Sequence, residues 1–202
     1  MNSSLSTLRQ FGTAVRALAI LSLVLGLVYP LALTGFAQAL FPARANGQPL
    51  TADGLVVGSA LIGQSFADAD GTALPEWFQS RPSAAGDGYD GASSGGSNLG
   101  PENPDLIATV DERRQSAAAL EGVDPREVPP DALTASASGL DPHISPEYAR
   151  LQIPRVAATR NLTESEVAGL VEEYVQGPDL GYLGEPTVNV LELNIALAQL
   201  DT

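Results

Sequence analysis

"ALAILSLVLGLVYPLALTGFAQALF", residues 17–41, contains no charged side chain, and 27 uncharged residues separate Arg16 from Arg44. Thirteen of these 25 residues are Leu, Ile, Val or Phe. About 20 residues of helix cross a hydrocarbon core of about 30 Å. Each central Leu, Ile, Phe or Val favours insertion by about 0.3–0.6 kcal/mol, which together outweighs Ser22, Thr34 and Gln38. The competing reading is a cleaved signal, with a basic start, an apolar centre and "AQA" at residues 37–39 as the cut. A signal's apolar centre usually runs about 7–15 residues. This run is longer, so it reads as an anchor that stays. Pro30 removes one backbone hydrogen bond and is expected to kink the helix.

Arg9 and Arg16 precede the run and no acid does. Basic residues stay on the cytoplasmic side. The expected layout is therefore a cytoplasmic tail over residues 1–16, a transmembrane helix over 17–41 and an extracytoplasmic domain over 44–202. Such a chain sits in the inner (plasma) membrane as a single-pass protein with its N-terminus inside. Ala32, Gly35 and Ala39 fall on one helical face, and Gly35 and Ala39 form a small-xxx-small pair that lets a second helix approach. Thr34 and Gln38, one turn apart, are candidate hydrogen-bonding groups for that helix.

All ten basic residues are Arg, and Cys is absent. From Arg44 onward eight Arg face 24 acids, leaving this part at −16. Such a surface repels nucleic acid and anionic lipid headgroups, which disfavours DNA, RNA and phosphoinositides as partners, and it gathers cations. Without Cys there are no disulfides, no thiol chemistry and no zinc thiolate site.

The part beyond the helix reads as a small α+β domain, helix-rich toward its C-terminus. "DGLVVGSALIGQSF" (residues 53–66) reads as two short strands or a bent one, broken by Gly58 and Gly63. Trp77 and Phe78 are expected to seal an apolar contact. Residues 86–100, "GDGYDGASSGGSNLG", are too rich in Gly and Ser for a helix or regular strand and must be a loop. Asn103 with Pro104 opens a helix to about Leu120. Ser145 with Pro146 opens another, split by Pro154. "TESE" (residues 163–166) is a capping box for a helix through Val175, stopped by Gly177 and Pro178. Asn189 can cap a last helix that carries Val190, Leu193 and Leu197 on one stripe.

No self-sufficient active site emerges. His143 is the only His, placed between two prolines in "LDPHISP", where a structural hydrogen bond is the ordinary role. A Ser/His hydrolase using His143 and Asp141 is formally open, but no G-x-S-x-G is present. "DADG" (residues 68–71) imitates the start of a calcium loop without the remaining ligands. "SGGSNLG" (residues 94–100) lacks the Lys and spacing of a phosphate cradle. Ser94, Gly95, Gly96, Ser97, Asn98, Asp141, His143 and Ser145 are left as candidate contact or turn residues. No catalytic or metal-binding residue is assigned. A free periplasmic binding protein is a further option, and it requires cleavage near Ala39.

"LGLVYPLALTGFAQALFPARANG", "GSALIGQSF", "RPSA", "SGGSNLGPENP", "LTASASGLDPHISP", "LQIPRVAATRNL" and "GEPTVNVLELNIALAQLD" occur in this order. Together they resemble the KdpC subunit of the bacterial Kdp potassium-transporting ATPase, from about Leu25 to the C-terminus. The resemblance implies a non-catalytic accessory subunit with one membrane helix and a domain on the outer side. It implies three partners: a channel-like potassium-translocating subunit, a P-type ATP-hydrolysing subunit and a small membrane peptide. It also implies potassium and ATP at the level of the complex and a catalytic-chaperone role in ATP use. A direct nucleotide contact conflicts with the layout above, which leaves only residues 1–16 and the inner helix end inside, so the effect on ATP is expected to be indirect.

Overall fold

A computed structural model of the chain describes residues 2–200. The chain divides between Gln48 and Pro49 into two units.

The first unit is dominated by one long helix. Helix α1 (Asn2–Leu23) runs through a π turn (Val24–Val28) into α2 (Tyr29–Leu40). The π turn answers Pro30: the proline ring has no N–H and would collide with the carbonyl four residues earlier in a regular α-helix. Widening the preceding turn relieves this, and the Tyr29 N–H donates to Val24 O. Thr34 Oγ1 donates to Pro30 O at 2.8 Å, adding a side-chain bond at the same place. Ser6–Leu40 is long and apolar enough to cross a membrane, and its most apolar window is unburied among the described residues. At about 1.5 Å per residue, its 35 residues span about 52 Å, more than the hydrocarbon alone. Phe41 leaves helical geometry, and a single turn, α3 (Pro42–Ala45), follows.

The second unit opens with a hairpin, β1 (Pro49–Ala52) and β2 (Leu55–Ser59). Asp53 and Gly54 both take positive φ, 51° and 78°, as a tight two-residue turn requires. A bulge sits between Leu50 and Thr51. Sequence reading finds β2 and misses β1. Residues 61–62 do not form a second strand; Ile62 makes only an isolated bridge to Ser59. The segment from 60 to 103 then runs without a named helix or strand, as expected for 86–100.

Five helices build the core. α4 (Pro104–Glu121) is capped by Asn103, whose Oδ1 accepts from Asp105 N at 2.8 Å. α5 (Pro146–Leu151) is capped by Ser145, and α6 (Ile153–Arg160) begins beside Pro154. α7 (Glu164–Glu173) starts with the Thr163–Glu166 capping box. It ends two residues sooner than its pattern suggests, because Val175 belongs to a strand. The second half is helix-rich, as expected, and also holds short strands that the sequence does not place. β3 (His143–Ile144), β4 (Val175–Gln176) and β5 (Thr187–Asn189) form an antiparallel sheet in the order β3-β5-β4. Strands of two or three residues are too short for alternation to reveal them.

α8 (Val190–Leu200) follows β5 directly, and Asn189 Oδ1 accepts from Glu192 N at its start. Val190, Leu193 and Leu197 are buried, as the stripe predicts. They pack with Val156 of α6, Val167 and Val171 of α7, Val188 and Phe78. Trp77 lies at the margin, with the Arg160 guanidinium 4.1 Å above its ring and Phe66 at 6.2 Å. Buried amides substitute for a sheet partner along 60–80. Asn194 accepts from Phe78 N at 3.0 Å and donates to Phe78 O at 2.9 Å. Gln152 does the same for Gln79, at 2.6 and 3.2 Å. Asn189 Nδ2 donates to Ala60 O at 2.8 Å.

Candidate functional site

Two irregular stretches, 63–64 with 80–95 and 134–143, are tied into one cluster. Ser83 forms its first knot. Its hydroxyl donates to Gly139 O at 2.6 Å and accepts from Ala85 N and Tyr89 N. Gly95 N donates to Ser138 O at 2.9 Å, and Ser94 Oγ donates to the same carbonyl at 2.9 Å. Gly139 has φ +68°, and a Cβ there would lie 2.7 Å from Gly95 O and 2.8 Å from Ala85 Cβ. Only glycine fits both the conformation and the space. Gly63 plays the corresponding part at the other edge. Its N–H donates to Leu140 O at 2.9 Å, and a Cβ would meet Tyr89 and Asp141 O.

The second knot is electrostatic. Arg81 donates to Asp141 Oδ2 at 3.1 Å and to Thr134 O at 3.2 Å. Asp141 Oδ1 accepts from His143 N at 3.0 Å and faces His143 Nδ1 at 3.3 Å. Burial alone disfavours the Asp141 charge, but the bonds from His143 and the attraction of Arg81 prevail and hold its carboxyl below the usual aspartate value. Tyr89 donates its phenol to Arg81 O at 2.8 Å, and burial pushes that phenol up to about 12. Arg81, Asp141, His143, Glu147, Glu185 and Thr187 help line a cleft of about 360 Å³.

The sequence candidates therefore separate. Ser94, Gly95 and Gly96 lie against Ala137 and Ser138, and Asp141 with His143 joins Arg81 in the neighbouring knot. Ser97 and Asn98 stay on the exposed loop, where Asn98 has φ +55°. Ser145 caps α5, accepting from Tyr148 N at 3.0 Å, and its own hydroxyl donates to Asp131 at 3.0 Å. Ala32, Gly35, Thr34, Gln38 and Ala39 are on the membrane-type helix, and the Thr34 hydroxyl donates to its own helix. Arg81, Ser83, Tyr89 and Gly139 lie in stretches quoted above but were not singled out there as site residues. Arg81 carried one signal: no other cation lies between Arg44 and Arg113, in a strongly acidic stretch.

Chemically, the cluster is a framework of internal hydrogen bonds. The hydroxyls of Ser83 and Ser145 are both committed to structural bonds, so neither is poised as a nucleophile. Asp68 of "DADG" accepts from Asp70 N and Thr72 N at 2.9 and 2.8 Å and simply closes a turn.

Comparison with known proteins accounts for both units. The family model described as "KdpC: K+-transporting ATPase, c chain" matches residues 11–199, which include most of the long helix. Proteins named potassium-transporting ATPase KdpC subunit are close relatives. That of Kineococcus radiotolerans is 58% identical, covering 94% of this chain and 93% of its own. That of Caulobacter vibrioides is 53% identical over 91% and 90%. That of Streptomyces coelicolor is 47% identical over 99% and 97%.

Proposed function

The chain belongs to the KdpC family and is an accessory, non-catalytic subunit of a potassium-transporting ATPase complex; from that premise we propose how its two units serve the complex. The observation that carries this reading is the 58% identity maintained over 94% of the chain, helix and domain together. The hydrolase alternative has no support: the relatives bear the KdpC name, and Ser145, the serine lining the His143 cleft, is bonded to Asp131 and Tyr148.

In this proposal the uncharged run over residues 17–41, carried by the long helix, anchors the chain in the plasma membrane. Arg9 and Arg16 keep the N-terminal tail in the cytoplasm, and the acidic domain lies outside. The face of Ala32, Gly35 and Ala39 packs against a helix of the potassium-translocating subunit, with Thr34 and Gln38 at its border. The P-type ATP-hydrolysing subunit and the small membrane peptide complete the assembly. The ordered loop cluster around Arg81 and Asp141 is the outer contact surface, because its conformation is fixed before binding and costs little further entropy on docking.

The domain's −16 charge raises the potassium concentration at the outer entrance. It attracts sodium equally, so selectivity belongs to a partner. Any influence on ATP use passes through assembly and conformational linkage, since the proposed topology puts the domain across the membrane from the nucleotide.

Co-purification from native membranes tests the assembly. The full chain is expected to bring down a potassium-stimulated ATPase, and a variant lacking residues 17–41 is not. A full chain that comes down alone would contradict the proposal.

A further inference from the structure

In the β1–β2 hairpin Leu50 and Ala52 of β1 are half-buried, whereas the apolar side chains of β2 are left uncovered. Leu55 is 71% and Val56 69% exposed, although successive strand residues point to opposite faces. Val57, Leu61 and Ile62 extend the patch. Only the root is fastened to the domain. Gln64 Nε2 donates to Val57 O at 2.7 Å, Asn189 holds Ala60 O, and Gly58 fits closely against Gln64 and Leu191. A two-stranded ribbon gains little stability alone, so apolar residues on both its faces call for an external cover.

Two observations identify that cover. The first is charge. In a part of the chain carrying −16, Asp53 is the only charged residue between Arg44 and Asp68. The ribbon is the stretch where the electrostatic penalty for approaching anionic lipid is least. The second is the tether. Residues 41–48 are all that separate the end of α2 from β1. At about 3.5 Å per residue, this keeps Pro49 within roughly 30 Å of the end of the membrane span. We infer that the hairpin docks on the outer bilayer interface, seating Leu55, Val56, Val57, Leu61 and Ile62 at the headgroup–acyl boundary. Its depth is limited from within. Both ribbon edges carry unpaired backbone groups that need water, and Asp53 at the tip keeps its charge in the headgroups. The hairpin thereby acts as a second, shallow foothold that restricts the domain's rotation about the end of its anchor.

This inference rests on the anchored reading, and one experiment separates the two. The chain has no Cys, so single cysteines carry a nitroxide without background. Val56→Cys, Leu31→Cys and Glu173→Cys variants of the full chain are reconstituted in phosphatidylcholine–phosphatidylglycerol vesicles. Collisions with oxygen, which enriches in lipid, are compared with those of a water-soluble nickel chelate. The label at 56 is expected to favour oxygen several-fold over the label at 173 while falling short of the label at 31, and to keep that preference when the chain is assembled into the whole complex. A label at 56 that behaves like that at 173 overturns the hairpin inference and leaves the anchor standing. A label at 31 that is open to the chelate overturns the anchor itself. Loss of both oxygen and nickel collisions at 56 on assembly assigns the patch to a protein partner and overturns the lipid contact.

Discussion

Single side chains hold this domain together where regular structure is missing. Asn194 satisfies both backbone groups of Phe78 inside the core, and a buried unpaired group costs about 1–3 kcal/mol. Asn194→Ala strands two of them, so the expected loss is about 3 kcal/mol in urea unfolding of the detergent-solubilised chain, followed by Trp77 fluorescence. Gly139→Ala combines a positive φ with a backbone collision and is expected to cost about 2 kcal/mol in the same assay. Asp141 makes a pH prediction. Its carboxyl titrates below the usual value because the bonds from His143 and the charge of Arg81 overcome its burial. A depressed folded-state value means the stabilisation is complete above about pH 4 and is lost as the pH falls through the lowered value. Asp141→Asn should therefore weaken the domain at pH 7 and converge with the parent chain in strong acid. An unchanged difference at both extremes would count against the ion pair. The caps Asn103, Ser145, Thr163 and Asn189 were legible because each acts on backbone a few residues away. Asn194, Gln152 and Arg81 were not, because their partners lie 116, 73 and 60 residues off.

Between elements, a buried ion pair joins the end of α4 to α6. Arg155 Nε donates to Glu121 Oε2 at 2.9 Å, with the two side chains 7% and 1% exposed. Arg155 also donates to Trp77 O at 3.0 Å, so it ties the irregular segment to both helices. Burial pushes the Glu121 carboxyl above the ordinary glutamate value, against the pull of Arg155. Arg155→Met would leave that carboxylate buried and unpaired, a loss of about 3–5 kcal/mol at neutral pH. The loss should shrink as the pH falls and Glu121 takes up a proton, and thermal unfolding at pH 7 and pH 5 checks this. In the first unit, Gly35→Leu is expected to reduce recovery of the associated ATPase several-fold in a pull-down, without altering insertion of the helix. Helices were easier to foresee than strands. α4 and α7 announce themselves through caps and proline, whereas β3, β4 and β5 are two or three residues long and exist only through each other.

At the scale of the whole molecule, charge and apolarity are separated along the chain: every acid lies at or beyond Asp53, and the uncharged run lies before it. That separation made the long apolar helix and the acidic domain legible at once. The loop cluster was legible only as motifs, since nothing local told which Ser or Gly would meet which. If the acidic surface gathers potassium, reversing several exposed Asp and Glu should weaken apparent potassium affinity at low ionic strength and much less at about 0.15 M salt, where the screening length is about 8 Å. Equal affinities at low salt would remove the electrostatic part and leave the assembly role intact. The central claim is the topology, a cytoplasmic tail and an outer domain joined by one membrane helix. The Cys-free background allows a direct measurement with a membrane-impermeant maleimide on intact cells. Glu173→Cys is expected to label before lysis and Gln10→Cys only after it; the reverse pattern would contradict the account.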